Sequence, residues 1–129
     1  MATDERGGRN KALVIMNKKA KLRSRADTLW FNKMRKDSCE VCGDKFRLQV
    51  HHFFPKSQFA HLRYDEDNGV TLCGKCHFEH HSKSNPKIQQ AIVAKRGIKW
   101  YNKLSGKTRD KPSSYQTIGY YQGVIEKYE

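Results

Sequence analysis

The sequence predicts an α+β fold: a small core of two short strands and a helix, closed by its cysteines and flanked by helices on both sides. Three observations predict it. All four cysteines fall in one short stretch as two Cys-x-x-Cys pairs, Cys39/Cys42 and Cys73/Cys76. Histidines crowd the same stretch, at His51, His52, His61, His77, His80 and His81. Charge is also segregated. Residues 1–36 carry eleven Lys/Arg against three acids, residues 37–81 five against seven, and residues 82–129 ten against three.

A chain of 129 residues reads as one domain by length. Only 36% of it is hydrophobic, and its mean hydropathy is −0.91. Apolar burial alone would stabilise such a chain thinly, and a bound metal would offset the shortage. No apolar run approaches the ~20 residues needed to span a bilayer, and the polar start MATDERGGRNK has no signal-peptide core. A reducing cytoplasm is therefore expected, where paired Cys-x-x-Cys motifs favour zinc over disulfides. The net charge of +13 and pI of about 9.8 point to a polyanionic partner. Two basic arms flank a centre that is not basic, so the arms are expected to bind phosphates while the centre does local chemistry.

In chain order, residues 1–8 are polar, contain Gly7-Gly8 and are expected to be disordered. Residues 9–36 form a basic helical arm, with Leu13, Met16, Ala20 and Leu22 as an uneven apolar stripe. Leu29, Trp30, Phe31 and Met34 follow as a stronger cluster, expected to pack on the core. The core segment is 37–84. Cys39-Glu-Val-Cys42-Gly43 reads as a zinc knuckle, with Gly43 supplying the tight turn. Phe46 to His52 alternates as a strand, with Leu48 and Val50 facing one way and Arg47, Gln49 and His51 the other. Residues 56–67 are a loop, Val70–Leu72 a second strand, and a helix after Cys76 carries His77, Phe78, His80 and His81. Residues 85–104 form a helical extension, with Asn85 as N-cap, Pro86 at the first helical position and a break at Gly97. Residues 105–129 are a linker and a helical tail, striped by Ile118, Tyr121, Ile125 and Tyr128.

Zinc takes four tetrahedral ligands, and Cys39, Cys42, Cys73 and Cys76 supply all four. A redox-active Cys-x-x-Cys comes singly beside a βαβ pattern, which is absent here. His77 and His81 are four apart on a helix and share one face, so they can grip one ion. His80 falls off that face and is expected in solvent. His61 sits in the loop, where a surface or packing role is expected. His51 and His52 close a strand, where neighbours face opposite sides unless the end twists or bulges.

On these residues the segment 39–81 resembles the HNH endonucleases, the ββα-metal or His-Me finger family. The histidine and asparagine spacing is similar to that of colicin-type DNases. The four-cysteine clamp is similar to that of zinc-containing HNH proteins of bacteriophages and mobile elements. The resemblance implies that His51, His77 and His81 bind a catalytic metal. It makes His52 the general base and Asn68 the residue that ties the loop and orients His52. Many family members have Asp where His51 stands and one helix ligand rather than two. The metal is therefore open among Zn, Ni, Mn and Mg, imidazole favouring the first three.

The implied reaction is hydrolysis of DNA phosphodiesters, leaving 5′-phosphate and 3′-hydroxyl ends. DNA, duplex or branched, would be held through its phosphates, with Arg23, Arg25, Arg47, Lys56, Lys95 and Arg96 as candidate contacts. The rival reading is a zinc-stapled nucleic-acid-binding module without cleavage. An RNA-directed protein is the third, since Lys/Arg-rich arms do not discriminate the two nucleic acids. Sequence preference, nicking against double-strand cutting, and oligomeric state are open.

Overall fold

A computed structural model describes residues 5–80, 86–112 and 115–129, the side chains of 5–9 excepted. The elements run α1 (Glu5–Met34), β1 (Gln49–His52), a 3₁₀ turn (Ala60–Leu62), β2 (Gly69–Leu72), α2 (Gly74–His80), α3 (Lys87–Arg96), α4 (Ile98–Lys107) and α5 (Ile118–Tyr128). The chain divides into two units, 1–30 with 114–129 and 31–113. No helix among the described residues is long and apolar enough to cross a membrane.

In the first unit, Ala26 and Trp30 of α1 and Tyr121, Val124, Ile125 and Tyr128 of α5 are buried. Thr117 caps α5 by accepting from Tyr120 N–H at 3.1 Å, and Gly119 and Gly123 do not interrupt the helix. Three of the four expected stripe residues are thus buried, and Val124 joins them. The expected stripe of α1 fares differently. Leu13 and Met16 are exposed, as are Val14 and Ile15 between them. Four consecutive apolar residues wrap around a 3.6-residue turn instead of marking one face. The helix also begins at Glu5, inside the stretch expected to be disordered, and carries Gly7 and Gly8 within it.

The second unit holds the chemistry-bearing residues. β1 and β2 pair antiparallel, His51 opposite Val70 and His52 opposite Gly69. The strand starts three residues later than the alternation predicts because Arg47 adopts a positive φ of 53°, which extended backbone cannot accommodate. Gly43 takes φ 79° just after the first cysteine pair, the left-handed turn for which glycine was expected. α2 begins at Gly74 rather than after Cys76. His77 N–H donates to Cys73 C=O at 2.8 Å, so the first turn closes around the second cysteine pair.

α3 follows Pro86, whose carbonyl accepts from Gln90 N–H at 3.0 Å; the expected cap Asn85 lies outside the described residues. Gly97, at φ 96°, ends α3 and lets α4 start at once. α4 continues to Lys107, past the expected limit at 104. Ile88, Ile92 and Leu104 from these helices share one core with Cys39, Phe53, Leu62, Val70, Leu72, Cys73 and Cys76. α3 and α4 are therefore part of the same core as the hairpin.

Candidate metal and catalytic site

The four cysteines converge. One Sγ from each of Cys39, Cys42, Cys73 and Cys76 lies within 4.8 Å of every other. A tetrahedron of thiolates around zinc has edges of about 3.8 Å, so the cluster has the size for one ion. All four are free thiols, with Cys42 and Cys73 sulfurs 3.5 Å apart. Burial opposes ionisation of Cys39, yet the peptide N–H groups of Cys42, Cys73 and Val41 overcome it and lower its pKa to about 6. Burial and the neighbouring sulfurs push Cys76 well above the ordinary thiol range. A thiolate at Cys39 thus makes Cys76 harder to ionise, and a dication held among the sulfurs would favour the thiolate form.

Glu40 lies between the first two cysteines and anchors the knuckle. Its carboxylate accepts from Thr71 N–H at 2.7 Å, Lys36 Nζ at 2.9 Å, and Arg96 Nε and Nη2 at 2.9 and 2.8 Å. Burial opposes its ionisation, but the Lys36, Thr71 and Arg96 contacts prevail and hold the carboxyl below its usual range.

Beside the knuckle, the end of β1 meets the start of α2. The rings of His51 and His77 stack with centroids 3.6 Å apart and planes 18° from parallel. Two imidazolium rings would repel at that distance, so the pair suits neutral imidazoles, the form that ligates metals. His51 Nε2 is shielded from solvent. The structure brings these two expected ligands together, and His81 lies outside the described residues.

His52 is held separately. Its Nε2 is 2.9 Å from the carbonyl oxygen of Arg63. A carbonyl only accepts, so Nε2 carries the proton and donates, which leaves Nδ1 as the basic nitrogen. Phe31 meets the His52 ring edge-on at 6.2 Å. Asn68 is fully buried and ties the loop around this contact. It accepts from Phe54 N–H at 2.8 Å, and its Nδ2 donates to Phe54 C=O and Leu62 C=O, both at 3.1 Å. Phe53 N–H donates in turn to Asn68 C=O at 2.9 Å. Phe54, two residues after His52, and Leu62, the residue before Arg63, are thereby fixed to one side chain.

A cleft of about 900 Å³ opens at this point, lined among others by Phe31, Arg35, His51, His52, Lys56 and His80. His51 and His52 both border it although they are strand neighbours in regular register. His80, expected in solvent, is half-buried there. Arg35 was missed by sequence reasoning; its position four residues after Phe31, on the same helical face, was the available signal. His61, expected in a surface or packing role, is half-buried and donates through Nε2 to Lys107 C=O at 2.9 Å.

The expected nucleic-acid contacts divide. Lys56 lines the cleft. Arg23 and Arg25 are exposed on α1, Arg25 paired with Glu129 at 2.6 Å. Arg47 lies over the Phe46 ring, 5.2 Å from its centroid, and is exposed. Lys95 is exposed while donating to Val41 C=O. Arg96 departs from the expectation. Its guanidinium is engaged by Glu40, by the carbonyls of Asp67 and Gly69 and by the Trp100 ring, so it is directed into the protein rather than toward a phosphate.

Comparison with curated proteins and with solved structures returns no match. Comparison with protein families matches residues 39–83 to the HNH endonuclease model, a span from the first cysteine through α2. A cysteine cluster sized for a metal ion, beside a two-stranded hairpin and its following helix, is set within that span: residues 39–83 form an HNH endonuclease domain, a family of nucleic-acid-cutting enzymes.

Proposed function

We propose that this protein is a metal-dependent DNA endonuclease with His52 as general base. The observation that carries the reading is the His52 Nε2 bond to the Arg63 carbonyl at the edge of the cleft. It leaves an unprotonated Nδ1, which can take a proton from water. The water oxygen then forms a bond to phosphorus, the bond to the 3′-oxygen breaks, and that oxygen is protonated from solvent. The products are a 5′-phosphate and a 3′-hydroxyl. Asn68 contributes by holding Phe54 and Leu62, and so the approach of His52 to Arg63.

His51, His77 and His81 would hold a divalent cation, Zn, Ni, Mn or Mg, which when bound stabilises the charge growing on the phosphoryl and leaving oxygens. Cys39, Cys42, Cys73 and Cys76 would hold a structural zinc. Arg35 and Lys56 sit in the cleft where they can contact a phosphate flanking the scissile bond. Arg23, Arg25, Arg47 and Lys95 are exposed cations suited to the backbone of duplex or branched DNA. The flanking basic segments, 9–36 and the stretch beyond 84, hold the substrate, and 37–84 cuts it.

The test is supercoiled plasmid incubated in EDTA and then with Mg, Mn, Ni or Zn restored, for wild type and His52→Ala. Metal-dependent nicking should fall by about 10²- to 10⁴-fold in His52→Ala, with zinc content and plasmid binding unchanged. A wild type that binds plasmid and never cuts would make this a binding module. Preferred cutting of structured RNA would move the substrate class.

A further inference from the structure

The carbonyls on either side of Asn68 are gripped by a helix outside the family-matched span. Arg96, the last residue of α3, donates from Nη2 to Gly69 C=O at 2.6 Å and from Nη1 to Asp67 C=O at 3.3 Å. Trp100 of α4 adds its Nε1 to the same Asp67 carbonyl at 2.9 Å, and its ring lies 4.9 Å from the Arg96 guanidinium carbon. The other edge of that guanidinium holds Glu40, inside the first cysteine knuckle. With Phe53 on the carbonyl of Asn68 itself, three successive carbonyls, 67 to 69, are all held. The Arg96–Glu40 contact is shielded, with 16% and 11% of the two side chains exposed.

We propose that Arg96 is a positioning residue for the active centre, linking the cysteine knuckle to the Asn68 loop and through it to His52. This rests on the reading of His52 and Asn68 above. The geometry asks for arginine in particular. Only a planar fork of five donors can meet a carboxylate on one edge and two carbonyls on the other while stacking on an indole. A lysine keeps the charge but has one donor centre on a flexible stem, so it can satisfy Glu40 or the loop, not both. A phosphate contact would make the opposite demand, tolerating lysine and disliking burial.

Arg96→Lys separates these roles, with Trp100→Phe as a milder second variant that keeps the ring and removes only the Nε1 donor. Both are compared with wild type, zinc-loaded and well below their melting temperatures. Three readouts are taken: kcat and KM on plasmid, the DNA dissociation constant, and hydrogen exchange of individual amides. Positioning predicts that kcat falls at least tenfold in Arg96→Lys with KM and DNA affinity within twofold of wild type. The amides of Phe53 and Phe54, which donate to Asn68, should exchange at least tenfold faster, while those of Ile92 and Leu104 do not change. Trp100→Phe should move the same readouts less. Weakened DNA binding with unchanged kcat would overturn the proposal in favour of a phosphate contact. Uniform acceleration of all core amides would reduce Arg96 to general stability, and no acceleration at Phe53 and Phe54 would show that it does not hold the loop. If wild type proves not to cut DNA, the nuclease reading fails on its own, and the exchange pattern still decides whether Arg96 holds the Asn68 loop.

Discussion

Replacing Asn68 by Ala should be among the most damaging single changes in the second unit. The side chain is fully buried and makes three hydrogen bonds, one accepted from Phe54 N–H and two donated to Phe54 C=O and Leu62 C=O. Each buried bond contributes about 1 kcal/mol net, and an orphaned buried partner costs roughly 1–3 kcal/mol. Truncation removes all three and leaves Phe54 N–H orphaned, so the expected loss is about 3 kcal/mol or more. Domains are stable by only about 5–15 kcal/mol in total. With a urea slope of roughly 1–3 kcal/mol/M, the unfolding midpoint should drop by about 1–3 M. Asn68→Asp should be no better, because it keeps an acceptor for Phe54 N–H but turns an oxygen toward two carbonyls. The assay is urea unfolding at fixed zinc concentration, with ring nitrogen shifts of His52 recorded in parallel. Wild type should show the Nε2–H tautomer, and Asn68→Ala should lose that preference. A midpoint shift below about 0.5 M with an unchanged slope, or an undisturbed His52 tautomer, would refute the claim that Asn68 ties this loop.

Stripping the cysteine site with a strong chelator should lower the melting midpoint of the second unit sharply and release one metal ion per four thiolates, since three of the cysteines are core residues; an unchanged midpoint would rule out a structural ion. Acid should destabilise the same unit through Glu40 and Asp67. Burial opposes the ionisation of Asp67 as well, and its contacts with Lys107 and Lys103 lower its pKa in the fold. Depressed carboxylates contribute stability that is complete above their ordinary values, 4.5 and 3.8, and is lost as pH falls below them. The contribution of these two carboxylates to the melting midpoint should therefore hold from neutral pH down to about 4.5 and fall beneath it. Glu40→Gln, compared with wild type at matched metal loading, should show a lower midpoint at neutral pH and a shallower fall. Arg35→Gln should weaken DNA binding several-fold and reduce the slope of log K against log salt by about 1, the signature of one lost phosphate contact; an unaltered slope would place Arg35 off the DNA path.

What could be read from the sequence was local, and what could not was long-range. The two Cys-x-x-Cys pairs, Gly43 after the first of them and the His51-His52 pair before a proline all express their geometry within a few residues. The structure brings the four sulfurs together and stacks His51 on His77. The failures were of another kind. Phe46 to Leu48 alternates as a strand should, but Arg47 at φ 53° delays β1 to Gln49, and no propensity announces that. Leu13 to Met16 look like core and stay exposed, because a helical stripe says nothing about what, if anything, lies against it. Arg96 looked like one more cation in a basic arm. Its partners Glu40 and Gly69 stand 56 and 27 residues away, so nothing in the local sequence marks it as internal.

That last misreading bears on how far the working domain extends. The family match ends at 83, yet the loop that carries Asn68 is closed from outside it. Arg96 and Trp100 hold its carbonyls. Lys107 spans Asp65 and Asp67 at 3.0 and 3.1 Å, with Lys103 on Asp67 at 3.3 Å. The Lys107 carbonyl also receives His61. Ile88, Ile92 and Leu104 supply apolar surface that the short hairpin and a seven-residue helix lack. A two-stranded ribbon is marginal in water by itself, and a cysteine-bound metal can close only the end of the hairpin near Cys39 and Cys73. The opposite end, where His52 meets Arg63, is closed by α3 and α4. The positive charge beyond residue 84 therefore divides: Arg96 is turned inward, Lys107 and the more exposed Lys103 pair with the acidic loop, and others such as Lys95 stay exposed at the surface.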